Sequence, residues 1–99
     1  MTTIKFHRSG GIVGNVIHLD LNLNDLPDNE AQHLIRLVTE ADFFNLPENL
    51  SVQATTDEFQ YSITVEAGRA QHTVHVSDTT MPKDLLPLVK ELTLIRVLQ

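Results

Sequence analysis

The chain has no cysteine, no tryptophan and one tyrosine, and only seven of its 99 residues are Lys or Arg. Each shortage closes off a class of function. Without cysteine there is neither a disulfide framework nor thiolate chemistry. Small secreted domains commonly depend on disulfides, so their absence points to a reducing compartment and an expected cytoplasmic location. The seven basic residues are scattered and face thirteen acidic ones, for a formal charge of −6. Phosphate neutralisation needs clustered Lys and Arg, so nucleic acid is not an expected partner. An anionic membrane surface is disfavoured for the same reason. No apolar run approaches the ~18 residues of a membrane span. The stretch from Met1 to Phe6 has no long apolar segment of the kind a signal peptide carries.

What is present suits a small packed core. Hydrophobic residues make up 41% of the chain and aromatics only 5%, so the core must be built from Leu, Ile and Val. The length is that of one domain, expected to span residues 1–99. Ile4 and Phe6 alternate with Lys5 and His7, and Ile17, Leu19 and Leu21 alternate with Val16, His18 and Asp20, the period of half-buried strands. Asn22 to Pro27 is turn chemistry. Asp28 is expected to cap a helix running to about Ala41, with Leu34, Leu37, Val38 and Ala41 at helical spacing. Phe43 and Phe44 are expected to lock the helix end onto the sheet, and Pro47 to end the element. Glu48 to Thr56 has no periodicity and reads as a mobile loop. Phe59 to Val65 and His72 to Val76 alternate again around Ala67-Gly68-Arg69, a second hairpin. Ser77 to Thr80 reads as a capping stretch before a last apolar helix. Pro87 predicts a kink or a short first turn in that helix.

The order β-β-α-β-β-α predicts an α+β fold: one four-stranded antiparallel sheet with both helices on one face. Strand order stays open at this stage. If strand 3 lies beside strand 1 and antiparallel to it, the start of strand 3 meets the end of strand 1.

That juxtaposition concerns two segments. Arg8-Ser9-Gly10-Gly11-Ile12-Val13-Gly14 sets two apolar residues among three glycines, on a backbone free to adopt positive φ. Such a loop presents apolar side chains at a cost to folding, which suits a contact with something else. Asp57-Glu58 stands at the mouth of the strand Phe59 to Val65. Adjacent strand residues diverge, so this acidic pair is no catalytic dyad.

Other chemistry is sparse. Gly10-Gly11 with Gly14 is followed by a strand where a phosphate-binding loop needs a helix. Ser9 has no base placed by the sequence and reads as a turn serine. His72 and His75 are three apart on a strand and point to opposite faces. His7 and His18 could face each other across the first hairpin, but two ligands alone make a poor metal site. His33 reads as a solvated helix residue. Nothing assembles a catalytic constellation, so no enzyme activity and no cofactor are expected.

The ordered set Arg8-Ser9-Gly10-Gly11 with Gly14, Leu26-Pro27, Ala41-x-Phe43-Phe44-x-Leu46-Pro47, Asp57-x-Phe59-x-Tyr61 and His72-Thr73-Val74 resembles the emfourin family. These are small bacterial proteins that inhibit protealysin-like zinc metalloproteases of the thermolysin family. The resemblance spans nearly the whole chain. Where the family has an aromatic residue after the paired glycines, this chain has Ile12. The resemblance implies a non-enzymatic inhibitor, monomeric when free, whose partner is a thermolysin-like zinc metalloprotease. Such a site has a zinc with three protein ligands and one open position. An inhibitor then needs an oxygen donor for the metal and an apolar group for the adjacent pocket. Ser9, Gly10, Gly11, Ile12, Val13 and Asp57 are the candidate protease-binding residues. The metal-directed carboxylate is Asp57, with Glu58 and Asp28 as alternatives.

The competing reading is a non-enzymatic interaction or adaptor module that uses a free sheet edge or the second helix. A third is a small-ligand or metal-binding domain built on the histidines.

Overall fold

Alternating strands that each bury one face must share a single apolar surface, and here they do. The computed structural model describes residues 2–11, 16–50 and 58–98. Strands β1 (Thr2–Gly10), β2 (Ile17–Asn22), β3 (Phe59–Ala67) and β4 (Ala70–Ser77) form an antiparallel sheet in the order β2-β1-β3-β4. Helices α1 (Asp28–Glu40) and α2 (Leu86–Leu98) complete the β-β-α-β-β-α order expected from the sequence. The strand order left open by the sequence is the one that sets β3 beside β1.

The register explains the core. Leu19, Phe6, Ile63 and Val74 lie side by side across the four strands, and Leu21, Ile4, Val65 and His72 form the next row. The aliphatic and Phe members of both rows are buried, and they pack with Leu34, Leu37 and Val38 of α1 and Leu88, Val89 and Leu92 of α2. A one-residue slip in any strand would turn this set to solvent, so the alternation itself fixes the pairing.

Several local expectations change. Asp28 does not cap α1: Pro27 occupies the cap position, and Asp28 is the exposed first residue of the helix. Its carboxylate sits with Glu30 in the first turn, where the helix dipole favours negative charge. Two residues past the helix, Asp42 adopts a left-handed φ of 52° and accepts a 2.8 Å hydrogen bond from Asn45 Nδ2. Short polar Asp tolerates this conformation better than most residues. Of the two phenylalanines expected to lock the helix end, Phe43 is buried against the His72 ring (centroids 5.7 Å apart), while Phe44 stays partly exposed.

His72 is not a solvated strand residue. It is half-buried, and its Nε2 lies 2.7 Å from the Leu46 carbonyl oxygen. His33 joins the two helices, 3.2 Å from Arg36 and 3.8 Å from the Glu91 carboxylate. The start of the expected mobile loop is held in place: Glu48 accepts from His75 N–H and Leu50 N–H donates to the His75 carbonyl, each at 2.8 Å. Backbone bonding of this kind leaves no side-chain pattern to read. Residues 51–56 of that loop lie outside the described residues.

Ser77 to Thr80 closes on itself rather than capping α2, with Thr80 Oγ1 accepting from Ser77 N–H at 2.9 Å. The turn Pro82 to Leu85 precedes α2, and Pro87 falls in the first helical turn, where its missing N–H costs nothing.

Ile63, fully buried at the centre of its row, is expected to cost about 2–5 kcal/mol when truncated to alanine. Urea unfolding followed by far-UV circular dichroism measures this directly. A change below about 1 kcal/mol would contradict the packing described.

Candidate functional site

Glycine stands where the chain leaves β1 because no other residue fits. Gly10 has φ 86° and Gly11 has φ 77°, both in the left-handed region. A Cβ on Gly10 would stand 2.7 Å from the Glu58 carbonyl oxygen, and one on Gly11 would stand 2.6 Å from Phe59 Cε1. The two glycines therefore let β1 and β3 close at this end. Gly10 pairs with Phe59, and Gly11 N–H donates to the Glu58 carbonyl at 3.2 Å.

The opening of β3 is tied to the turn after β4. The Asp78 carboxylate accepts from Phe59 N–H at 3.0 Å and from the Tyr61 hydroxyl at 2.8 Å. Asp78 N–H in turn donates to the Phe59 carbonyl at 3.2 Å. Glu58 Oε1 accepts from both the N–H and the hydroxyl of Thr79. The opening of β3 is thus held twice, at Glu58 and at Phe59.

Arg8 lies on the helix-facing side of β1, in a row with Ile17, Tyr61 and Val76. Its guanidinium carbon is 4.2 Å from the centre of the Phe59 ring, a cation–π contact. Arg8 and Tyr61 wall an open groove of about 420 Å³ completed by Leu86, Val89 and Leu94 of α2. Arg8 Nε and Gln60 Nε2 are buried with no hydrogen-bond partner among the described residues. Both flank the glycine pair: Arg8 precedes it by two positions, and Gln60 pairs with Ser9. A buried donor without a partner costs about 1–3 kcal/mol.

Burial, the hydrogen bond to Asp78 and the Asp78 charge together push the Tyr61 phenol from its ordinary 10.0 up to about 12. The neutral phenol is therefore the form this end of the sheet is built around.

The Emfourin family model matches residues 6–93. The chain belongs to the Emfourin family. Among solved structures, it is similar to emfourin (M4in) from Serratia proteamaculans, described as an M4 family peptidase inhibitor, at 18% identity over 88% of this chain and 84% of that one, with a TM-score of 0.48. No curated protein matches the sequence.

Of the residues the emfourin resemblance pointed to, Ser9, Gly10 and Gly11 lie at this end of the sheet. Ile12, Val13 and Asp57 lie outside the described residues. Glu58, the adjacent alternative carboxylate, is engaged by Thr79. Asp28, the distant alternative, is exposed and caps nothing, so capping no longer sets it aside. It follows Asn22, which pairs with Thr3 at the end of β1 remote from Gly10.

Sequence reasoning missed Asp78, Thr79, Gln60 and the inward turn of Arg8. Arg8 does continue the alternation of Ile4 and Phe6, and that was its signal. Asp78 and Thr79 act across sequence separations of 17 to 21 residues, which no local pattern reports.

Gly10→Ala and Gly11→Ala are each expected to destabilise the fold by about 1–3 kcal/mol, read as a lowered thermal midpoint. The Glu58 carbonyl at Gly10 and the Phe59 ring at Gly11 add a steric cost to that of the positive φ. A parental midpoint would contradict the positive φ angles.

Tyr61 allows a second check, because the chain has one tyrosine and no tryptophan. Its folded pKa is raised, so the stability it contributes is complete below about pH 10 and is lost as the pH rises through about 12. Asp78→Ala removes two causes of that rise. Tyrosinate absorbance should then titrate at lower pH, with about 1 kcal/mol of stability lost. An unchanged titration would show that Asp78 does not hold the phenol.

Proposed function

We propose that this chain is a protein inhibitor of thermolysin-like, M4-type zinc metallopeptidases, and that it covers the protease cleft with the glycine end of its sheet. The observation that carries this reading is the β1–β3 pairing, which sets the Gly10–Gly11 turn against the start of β3. Membership of the Emfourin family supports it.

The physical logic is division of labour. A fixed strand end limits the ordering cost of binding, and preorganisation is what turns buried area into affinity. The glycine turn leads to Ile12 and Val13, which supply apolar area for the specificity pocket. Asp57 supplies a carboxylate oxygen to the open position of the protease zinc, displacing its water. No step of peptide hydrolysis is performed by the inhibitor. It acts as a monomer and in the cytoplasm, guarding the cell against its own protease before export.

Titrating a thermolysin-like protease with the chain is expected to abolish peptide cleavage near equimolar inhibitor. Asp57→Ala should keep the parental circular dichroism and weaken inhibition by about a hundredfold, ~2.7 kcal/mol. Asp57→Asn should lose nearly as much, because a neutral amide is a weaker ligand. Ile12→Asp should be similarly damaging through burial of an unpaired carboxylate, while Ile12→Phe should inhibit at least as well as the parent. Undiminished cleavage at a clear stoichiometric excess would overturn the proposal. Parental inhibition by Asp57→Ala together with loss in Asp28→Ala would move the metal-directed group to α1.

A further inference from the structure

The sheet face away from the helices carries a feature that inhibition does not use. In register across the strands, His18, His7, Ser62 and His75 form one row on that face. Two of the histidines are immediate cross-strand partners. The rings of His7 and His18 have centroids 5.5 Å apart and meet at 68°.

We propose that His7 and His18 form a two-ligand chelating site for late first-row divalent cations, Cu²⁺, Ni²⁺ and Zn²⁺. Metal–imidazole bonds are about 2.0–2.1 Å long, and ligand angles in square-planar and tetrahedral complexes are about 90–110°. Two imidazoles sharing one ion then have centroids about 4.5–5.2 Å apart. The observed 5.5 Å is within a few tenths of an ångström of that range. The backbone needs no adjustment because the sheet register already holds both residues opposite each other.

The surroundings are consistent with a cation. Asp20 Oδ1 lies 3.8 Å from His18 Nε2, with both side chains more than half exposed. A carboxylate beside a ligating imidazole orients the ring and raises its basicity. Lys5, in register with Asp20, is the one cation on the adjoining row. His75 stands one strand further along the row, with Ser62 of β3 between it and His7, so it is not His7's immediate cross-strand partner. Among the described residues no cluster of three or more His, Cys, Asp or Glu could hold a metal. Among the described residues, the two imidazoles are therefore the ligands the site offers, and the remaining coordination positions are open. Imidazole donors and an open, solvent-facing geometry favour Cu²⁺ over Zn²⁺ and exclude Mg²⁺, which requires oxygen ligands.

Isothermal titration calorimetry of the full chain with Cu²⁺, Ni²⁺ and Zn²⁺ salts tests the site, with Mg²⁺ as control. One-to-one binding of Cu²⁺ is expected, tighter than Zn²⁺, with none for Mg²⁺. His7→Gln and His18→Gln should each weaken Cu²⁺ binding by about tenfold or more, since losing a ligand costs at least as much as losing its outer-shell support. His75→Gln should leave it unchanged. Both ligand positions face solvent, and circular dichroism of the variants confirms that they fold. Absence of saturable Cu²⁺ binding, parental affinity in His18→Gln, or equal weakening in His75→Gln would overturn the assignment.

Discussion

Pairing of β1 with β3 is the constraint on which the rest depends. The two strands are far apart in sequence and separated by α1, yet they form the centre of the sheet. That pairing sets Phe6 beside Ile63 and Ile4 beside Val65, and so defines the floor on which both helices rest. It also decides what happens at the open end. Because Gly10 reaches Phe59, the backbone there must pass within a methyl group's reach of the Glu58 carbonyl, and only glycine does so without a clash. The same hydrogen-bonded ladder that builds the core therefore brings the glycine turn and the β3 mouth together.

Around this junction the chain invests polar groups rather than apolar ones. Asp78 and Thr79, from the turn after β4, hold Phe59, Tyr61 and Glu58. The result is a third strand tied into the sheet end, with a single arginine laid over an aromatic ring. These groups fix position; they do not form a nucleophile, a base and an oxyanion donor in reach of one another. A strand end held in place by these bonds suits recognition. The acidic net charge, −6, suits partners whose cleft is less negative than nucleic acid or an anionic membrane.

How much of this is legible in the sequence depends on whether the signal is local. The alternation of Ile4 and Phe6, of Leu19 and Leu21, and of Ile63 and Val65 reports strands and faces without ambiguity, and the fold class follows from their order. The paired glycines report a backbone need, although not its cause, which is the Glu58 carbonyl across the sheet. Asp28 looks like a cap because Asp is a good cap. Pro27 takes that position instead, since proline before a first helical residue is already set in extended φ, ψ. The Asp78 and Thr79 tethers, and the backbone docking of Glu48 to Leu50 on β4, are long-range contacts with no periodic trace. Within the candidate site, Ser9 and the two glycines lie where β1 meets the start of β3, whereas Ile12, Val13 and Asp57 lie outside the described residues. Their roles rest on the family pattern and on chain proximity to Gly11 and Glu58.

The central claim is that the end of the sheet where β1 meets β3 is the surface a target protease covers. Amide hydrogen exchange of the chain, alone and with a stoichiometric excess of an M4-type peptidase, tests it without any substitution. The account predicts new protection concentrated in residues 8–16 and 57–61, with α1 and the free edge of β2 exchanging as before. Protection confined to α1, to the β2 edge or to the outer sheet face around His7 and His18 would contradict it.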